Sequence, residues 1–498
     1  MKFWQRRGRM PQAPAAVPSE WPLSTPLFRV SDHDVITISD AFENIWVFGG
    51  TGSGKTTTSG FLIICQMLRL GFSGLVLPVK ASERERWLRL MADAGRSNDL
   101  IIFSDEGANT HRFNFFAYNV ERFGQFSGCT DLVLNLLEEI QEVINRASSM
   151  KQTRGDESFW VLSRRELARN VLDLLILATG TLSASHIVEV VRDAPRSLSD
   201  VSNAEWQKES IIPTLFNMAR QNVGDGPASH DLQMVEGYFT KSFPGLAEKT
   251  RSVVETALLS MLDLFVRGKL HRLFSGISTI TPDEVVDQGK VLFVDTPIKT
   301  DYGLGLIAQT LWKRHFQQAL ERRIDPDRRP AFIVMDEAQA TLTSSDQQFA
   351  ATSRASRCVN LFMTQSVTNI TAAFGGDEGG RTIAEALMGL GQIRIFHQNS
   401  DHATNQSAAD LIGRRKQRMR SMSMQQPPGN PYSLFRQLPT TSAGSNEQWE
   451  HVLPPHIFTS LRKPSAPDFM AETVIYHGGR RWAASGDTWI RTFFPQGY

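Results

Sequence analysis

The chain has 498 residues, of which 41% are hydrophobic, 21% are charged and 9% are aromatic, and this composition excludes a fibrous or disordered protein. The length favours two or three domains, or one core that carries a large insertion. The 53 basic and 52 acidic residues give a formal net charge of +1. This balance excludes a strong overall field, so any nucleic acid would have to be held by local basic patches.

The cysteines and the apolar stretches indicate a cytoplasmic protein. Cys65, Cys129 and Cys358 are too far apart for a disulfide framework or a zinc site. Every apolar stretch is interrupted well before the ~20 residues that a membrane helix needs, so we expect no transmembrane segment. The protein is therefore predicted to be cytoplasmic and to reach the inner membrane only through a partner.

An N-terminal arm at 1–40 precedes a series of short apolar runs, each of the kind expected for a buried parallel strand. These runs are Ile45–Phe48, Leu75–Leu77, Leu100–Phe103, Val291–Val294, Phe332–Met335, Leu361–Met363 and Ile393–Phe396. Amphipathic stretches at Thr56–Leu70, Ser82–Ala94 and Leu304–Arg323 separate several of them, which is typical of a sheet wound with helices. The sequence thus predicts an α/β fold with a mostly parallel sheet.

The strand pattern stops after Phe103 and resumes near Val291, and much of the sequence between has helical periodicity. We therefore predict an all-α insert at 120–248, which divides the core into 41–119 and 249–412. Residues 413–446 are rich in Arg, Met, Ser, Gln, Pro and Gly, so we predict a flexible basic connector there. A β-rich tail is predicted at 447–498.

A complete phosphate-binding loop follows the first core strand, because the pattern G-x-x-x-x-G-K-T begins at Gly49 and opens a helix predicted from Thr56. Backbone N–H groups of such a loop, together with the helix N-terminus, bind phosphate oxygens. Lys55 is predicted to bridge the β- and γ-phosphates, and the Thr56 hydroxyl to bind Mg²⁺. The predicted nucleotide-binding residues are Gly49, Gly50, Thr51, Gly52, Ser53, Gly54, Lys55, Thr56 and Thr57.

A carboxylate pair ends a later core strand. In the run AFIVMDEAQ, Asp336 is predicted to hold Mg²⁺ through its water shell, and Glu337 to polarise the attacking water. Asp295 ends another strand and competes for the metal role, but it stands alone before Thr296-Pro297, so a structural role at a turn is preferred.

Two further residues are candidates for catalysis. Gln365, at the tip of the strand VNLFMTQS, is placed to sense the γ-phosphate, although a polar strand end is an alternative. Arg354 or Arg357, just before that strand, could reach the triphosphate of a neighbouring subunit, or both could be ordinary surface arginines. Because no Asn-Lys-x-Asp guanine motif is present, ATP with Mg²⁺ is the predicted cofactor.

The order of these motifs resembles the TraG/TraD-type coupling ATPases of conjugation and type IV secretion, within the HerA/FtsK superfamily. The resemblance rests on GGTGSGKT, FIVMDEAQ, Ser353-Arg354 before VNLFMTQS, and Ile395–Gly413. It implies a RecA-like P-loop NTPase core, a hexameric ring with ATP sites at subunit interfaces, Arg354 acting in trans, and DNA or nucleoprotein passing through the centre.

The chain also departs from that family. Typical members carry transmembrane helices before the motor, whereas only about 45 residues precede the loop here, too few for an anchor domain. We therefore expect either docking on a separate membrane-anchored secretion subunit or a soluble relative. In addition, Phe115 stands in RFNFF where many relatives have Asn-Pro-Leu, which leaves the role of Asn114 open.

A basic run, Arg414, Arg415, Lys416, Arg418 and Arg420, is the candidate contact for nucleic-acid phosphates, and a solvated linker is an equally consistent interpretation. The favoured function is a ring motor that hydrolyses ATP to translocate DNA or a DNA–protein substrate toward a type IV secretion channel. The alternatives are an ATP-gated platform that recruits protein substrates, and a soluble HerA-like DNA motor that works with a separate nuclease.

Overall fold

The structure, a computed structural model, describes residues 20–107, 110–124, 129–147, 157–224, 226–325, 327–425 and 440–497. Contacts between residues divide the chain into two compact units. The first unit consists of Met1–Thr25 and Ile64–Phe362, and the second of Pro26–Ile63 and Met363–Tyr498.

The described residues contain thirteen strands, numbered in chain order. They are β1 Pro26–Arg29, β2 Val35–Thr37, β3 Ile45–Phe48, β4 Ser73–Leu77, β5 Leu100–Phe103, β6 Val291–Val294, β7 Ala331–Met335, β8 Cys358–Thr364, β9 Ile393–Phe396, β10 Arg414–Gln425, β11 Thr440–His451, β12 Met470–His477 and β13 Trp489–Pro495.

The same residues contain twenty α-helices. They are α1 Ile38–Ala41, α2 Ser59–Arg69, α3 Glu83–Asp93, α4 Phe115–Phe123, α5 Cys129–Ala147, α6 Glu157–Thr179, α7 Ala184–Asp193, α8 Leu198–Ser202, α9 Ala204–Glu209, α10 Ile211–Asn222, α11 Pro227–Gly237, α12 Glu248–Val266, α13 Gly268–Phe274, α14 Pro282–Asp287, α15 Tyr302–Glu321, α16 Ser345–Thr352, α17 Val367–Ala373, α18 Glu378–Gly389, α19 His402–Ile412 and α20 Pro455–Ser460.

The first unit is built on parallel strands in the order β8-β7-β4-β6-β5. Every residue of β4, β6 and β7 is buried, which explains why these strands are apolar without alternation: both faces of the ladder are covered. The carboxyl ends of β4 and β7 are neighbours, since Leu77 pairs with Met335. Side chains that follow these two strands are therefore placed at the same edge.

In the described residues between β5 and β6, every regular element is helical, running from α4 to α14. Asn114 begins this region as the N-cap of α4, where its side chain accepts a hydrogen bond from the Ala117 N–H at 3.2 Å. Its amide nitrogen donates to the Gly276 carbonyl oxygen at 3.1 Å, so Asn114 has a structural role.

Two buried ionisable side chains, Lys313 and His315, lie on α15. The Lys313 ammonium donates to the Asp346 carboxylate of α16, and both side chains are only 1% exposed. His315 is enclosed by the rings of Phe113, Phe115 and Tyr118. Because neither side chain reaches solvent, its polar atoms are satisfied inside the protein: Lys313 by Asp346, and His315 Nδ1 by the Leu311 carbonyl oxygen at 2.8 Å.

The second unit contains the strand order β3-β9-β12-β13. β3 and β9 are parallel, with Ile45 opposite Ile393, while β12 is antiparallel to both β9 and β13. β1 and β2 form a small antiparallel pair. β10 and β11 form a separate two-stranded antiparallel ribbon over twelve residue pairs.

The predicted α/β fold class is confirmed, and each of the seven apolar runs lies within a strand. The connector predicted at 413–446 differs in the structure: 414–425 and 440–446 lie in paired strands, while 426–439 lie outside the described residues. The predicted domain boundaries stay predictions.

Among the described residues, no single helix is both long enough and apolar enough to cross a bilayer. Phe159–Thr179 together with Ala184–Asp193 meets the length and composition requirement, but these two helices are bent by 114°.

Candidate nucleotide-binding site

The phosphate-binding loop lies in the second unit, directly after the buried strand β3. Gly52 and Gly54 have φ angles of 71° and 93°, which L side chains rarely adopt. Gly49 is required for a different reason, because a Cβ there would lie 2.5 Å from Ser53 Oγ and 2.7 Å from His397 Cβ. Two glycines of the loop are thus favoured by backbone conformation, and Gly49 is required by lack of space.

Not every amide of the loop is directed toward a ligand. Gly49 N–H donates to the Thr364 carbonyl oxygen at 3.3 Å, and Gly50 N–H donates to that of Gln398 at 2.8 Å. Ser53 N–H donates to the Gly50 carbonyl oxygen at 3.1 Å. Phosphate oxygens would therefore have to be bound by other amides of the predicted set, and the first two residues attach the loop to the ends of β8 and β9.

Lys55 is 7% exposed, and its ammonium donates to the Gly49 carbonyl oxygen at 2.6 Å. Regular helix begins at Ser59 and not at the predicted Thr56. Before it, Thr58 N–H bonds the Gly54 carbonyl oxygen at 2.8 Å, and Gly60 N–H bonds that of Lys55 at 2.9 Å. The chain from Gly54 onward therefore turns tightly before the helix becomes regular.

The flanks of the loop come from distant parts of the same unit. Lys463 Nζ lies 3.4 Å from the carbonyl oxygen of the exposed Thr51. Thr57 N–H bonds the Gly54 carbonyl oxygen at 3.1 Å, and the Thr57 carbonyl oxygen accepts from Gly497 N–H at 2.7 Å.

The loop fits a phosphate chain. Ser53 Oγ is buried and has no hydrogen-bond partner in the part of the chain that the structure describes, and the backbone there can accommodate only glycine at Gly49. Thr56 is half-buried at the start of the tight turn, where its hydroxyl would serve Mg²⁺. No cluster of three or more His, Cys, Asp or Glu side chains suited to a metal occurs among the described residues.

His397 was not predicted from the sequence, yet it touches the loop directly. It follows β9, is 1% exposed, and places Nε2 2.7 Å from Ser59 Oγ and Nδ1 3.2 Å from the Ser53 carbonyl oxygen. Burial, and then the nearby Lys55 charge, lower the pKa of His397 to about 3, so the ring is neutral at physiological pH.

Gln365 directly follows β8, belongs to the second unit like the loop, and is half-buried. Its backbone carbonyl oxygen accepts from Asn399 Nδ2 at 2.7 Å, and the backbone carbonyl oxygen of the preceding Thr364 accepts from Gly49 N–H. The structure therefore brings Gln365, the loop and the segment after β9 together, although sensing of the γ-phosphate by Gln365 stays a prediction.

In the first unit, Asp336 and Glu337 come directly after β7, and both are half-buried. Asp336 Oδ1 accepts from Glu337 N–H at 3.1 Å, and Gln339 Nε2 donates to Glu337 Oε2 at 2.8 Å. Glu337 has φ 50° and ψ 55°, a left-handed conformation that costs a non-glycine residue about 1–2 kcal/mol. Such strain is characteristic of functional positions.

Two charged side chains near Asp336 were also missed. Glu83 begins α3 after β4 and accepts from the N–H groups of Val79 and Lys80 at 3.1 and 2.9 Å. Burial, and then the charge of Asp336, raise the pKa of Glu83 to about 7. Burial lowers the pKa of Arg86, while Asp336 and Glu83 oppose that shift. Glu83 and Arg86 could have been found only from the pairing of β4 with β7, which brings the residues after β4 close to Asp336.

The remaining candidates of the first unit, Asp295, Arg354 and Arg357, differ in their contacts and exposure. Asp295 pairs with Arg84 at 3.0 Å, in keeping with the structural role preferred for it. Arg357 is buried, and its guanidinium donates to the Trp21 carbonyl oxygen. Arg354 is exposed. Of the two arginines, only Arg354 has the accessibility that an interface role requires.

The basic run lies at the base of the β10–β11 ribbon. Its described cations face carboxylates: Arg414 pairs with Asp410 at 3.3 Å, and Arg415 lies opposite Glu450. Lys416 and Arg418 both pair with Glu447, at 3.7 and 3.3 Å. Arg420 is in β10, but its side chain lies outside the described residues. The patch is therefore much less positive than the cations alone suggest.

With the glycine loop directly after the buried strand β3 and with mostly parallel strands, the chain has the fold of a RecA-like P-loop NTPase. Residues 330–462 match the family model described as the TraM recognition site of TraD and TraG. No curated protein matches the chain at a significant level.

Solved structures of the plasmid coupling protein TrwB share this fold. The complex with the non-hydrolysable ATP analogue ADPNP has a TM-score of 0.55 and 15% identity over 94% of this chain and 89% of that chain. The complex with ADP and Mg²⁺ has 0.55 and 14%, with coverage of 94% and 89%. The complex with the GTP analogue GDPNP has 0.52 and 14%, with coverage of 96% and 97%. The predicted resemblance to TraG/TraD-type coupling proteins is confirmed.

Proposed function

We propose that the protein is an ATP-hydrolysing motor of the coupling-protein type, which forms a hexameric ring and translocates DNA or a DNA–protein substrate toward a type IV secretion channel. The observation that carries the proposal is the loop at Gly49–Thr56, with Lys55 buried against it, in a chain that resembles coupling proteins. TrwB, which shares the fold, has been solved with nucleotides and with Mg²⁺.

Each residue of the proposed site has a chemical role. Lys55 neutralises the β- and γ-phosphates, and Thr56 and Asp336 would hold a Mg²⁺, which would offset charge on the leaving phosphate oxygens. Glu337 accepts the proton of the attacking water. Gln365 reports the presence of the γ-phosphate to the end of β8. Arg354 of a neighbouring subunit stabilises charge as the γ-phosphate leaves.

ATP turnover, measured with and without single- and double-stranded DNA, tests the proposal. Lys55→Ala and Glu337→Gln should each lose at least about 100-fold in turnover while remaining folded, because each removes charge stabilisation or proton transfer. Lys249→Ala, at an exposed position of α12, is the matched control and should keep full turnover. Unchanged turnover in Lys55→Ala would sink the site assignment.

The interface role of Arg354 has a test of its own. If Arg354 acts in trans, Arg354→Ala and Glu337→Gln are each inactive alone, but mixed rings contain interfaces with one intact residue of each kind. Mixing the two variants should then restore part of the turnover. Particle images with ATP and DNA should show a ring around the nucleic acid. No restoration on mixing, with rings present, would place Arg354 outside the site.

A second candidate function is a platform that recruits protein substrates. It is favoured by the match of 330–462 to a partner-recognition model and by the pairing of the ribbon cations with carboxylates. Under this alternative, ATP turnover is independent of DNA, and full-length protein binds a TraM-type partner through the ribbon. DNA-stimulated turnover, with no partner binding that depends on the ribbon, would favour the motor instead.

A further inference from the structure

His397 contacts the phosphate-binding loop through its ring, and its backbone pairs with the residue just before the loop. Its N–H donates to the Phe48 carbonyl oxygen at 2.8 Å, which continues the pairing of β3 with β9 up to the start of the loop. The next carbonyl oxygen, of Gln398, accepts from Gly50 N–H at 2.8 Å. His397 is therefore fixed at the point where the loop leaves the strand.

The hydrogen bonds of the ring determine its tautomer. The Ser53 carbonyl oxygen can only accept, so Nδ1, at 3.2 Å, carries the proton. Nε2 then has a lone pair and accepts from the Ser59 hydroxyl at 2.7 Å. The neutral ring thus connects the tip of the loop, at Ser53, to the first residue of α2 at Ser59.

The side of the loop nearest His397 has no spare room. An added Cβ at Gly49 would lie 2.7 Å from His397 Cβ, whereas ordinary contacts begin at about 3.4 Å. The ring and the loop are therefore packed against each other, and Lys55, which bonds the Gly49 carbonyl oxygen, is held on the same support.

We infer that His397 is a positioning residue of the nucleotide site, which holds Ser53 and the helix start at Ser59 in the spacing that a triphosphate requires. This inference rests on the proposed function in so far as the ligand is a nucleoside triphosphate. It goes beyond the loop motif, because the support comes from a residue after β9, distant in sequence. The lysine and the loop amides bind the phosphates, and His397 acts through them.

Two conservative variants separate the two hydrogen bonds. In His397→Asn, the amide nitrogen can still donate toward the Ser53 carbonyl oxygen. In His397→Gln, the amide oxygen can accept from Ser59, but no donor is left near Nδ1. His402→Gln, at an exposed histidine of α19, is the matched control. Thermal unfolding first establishes that all variants are folded to the same extent at the assay temperature.

The first measurement is amide hydrogen exchange in the loop without nucleotide, and the second is the Kd for a fluorescent ATP analogue. We expect His397→Gln to exchange at least tenfold faster over residues 50–54 and to bind at least tenfold more weakly, with kcat at saturating ATP within about threefold of wild type. His397→Asn should retain wild-type values within about threefold, and His402→Gln should be unchanged. The affinity is expected to change more than kcat because the His397 variants keep Lys55, and the loop amides bind the phosphates in the ground state as well as in the transition state.

Equal loop exchange in His397→Gln and wild type would overturn the inference, whatever the turnover. So would equal losses in the Asn and Gln variants, because a merely structural histidine does not distinguish which hydrogen bond is kept. If wild-type protein binds ATP but does not hydrolyse it, the proposed function fails while the exchange and binding results still decide the role of His397.

Discussion

The backbone of Glu337 allows its two contributions, to stability and to catalysis, to be separated. At φ 50° and ψ 55°, the residue occupies the left-handed region, where Cβ approaches the following carbonyl oxygen. We compare Glu337→Ala with Glu337→Gly, since both remove the carboxylate and its hydrogen bond from Gln339 and differ only in Cβ.

At an ordinary position the alanine variant would be the more stable of the two, whereas at Glu337 we expect the glycine variant to be the more stable. In a regular helix or strand, alanine is more stabilising than glycine by about 0.5–1 kcal/mol, because glycine loses more backbone entropy on folding. In the left-handed region, alanine also carries a strain of about 1–2 kcal/mol that glycine does not. Glu337→Gly should therefore be the more stable variant, by up to about 1.5 kcal/mol.

Urea unfolding gives the stability of both variants, and ATP turnover gives their activity, with Glu337→Gln as the variant that keeps side-chain size. All three variants should lose turnover. The Gly and Ala variants should also differ from each other in free energy of unfolding, because only alanine carries the backbone strain. If Glu337→Ala proves more stable than Glu337→Gly, the strain does not exist. If the Gly variant keeps turnover, the Glu337 carboxylate is not the group that accepts the proton of the attacking water.

Three further outcomes follow from buried or paired charges. Burial lowers the pKa of His315 from 6.5 to about 4, so the unfolded chain binds more protons between these values and stability falls as pH falls through that window. The loss attributable to His315 should reach about 2 kcal/mol at pH 5, and a urea series at pH 8 and 5 should show a smaller loss in His315→Gln. Lys313→Met leaves the Asp346 carboxylate buried without its cation and should lose about 3–5 kcal/mol on urea unfolding. Adding Asp346→Asn, which removes the charge but keeps an acceptor oxygen beside Thr343 N–H and Gln317, should recover part of that loss, and additive losses would contradict this. Glu447→Gln releases two ribbon cations and should tighten DNA binding and steepen its dependence on salt, whereas an unchanged salt slope would exclude the ribbon as a phosphate contact.

The strands were predictable because they are apolar on both faces, so neither alternation nor partner information was needed to find them. The loop at Gly49–Thr56 was predictable because its glycines, lysine and threonine stand between a strand and a helix. The carboxylates Asp336 and Glu337 followed from their position at a strand end. In each case the signal is contained in fewer than about fifteen consecutive residues.

The site residues that the sequence did not reveal come from strands that are neighbours in the sheet but distant in the chain. His397 reaches Ser53 only because β9 lies beside β3, and Glu83 comes near Asp336 only because β4 lies beside β7. The β10–β11 ribbon was interpreted as a connector because its residues have little strand propensity. Cross-strand pairs such as Lys416 with Trp449 contribute there, and they become visible only when the register is known.

The glycines of the phosphate-binding loop are required for two different reasons, backbone conformation and lack of space. At Gly52 the restriction lies in the backbone alone, since an added Cβ meets nothing within 4 Å although φ is 71°. Asparagine, which tolerates left-handed angles, is therefore a permitted replacement at that position. At Gly49 the restriction is space, and no side chain fits beside Ser53 and His397. In the pattern G-x-x-x-x-G-K-T, Gly49 is the first glycine and Gly52 stands at a variable position, so a variant library should accept asparagine at 52 and no side chain at 49.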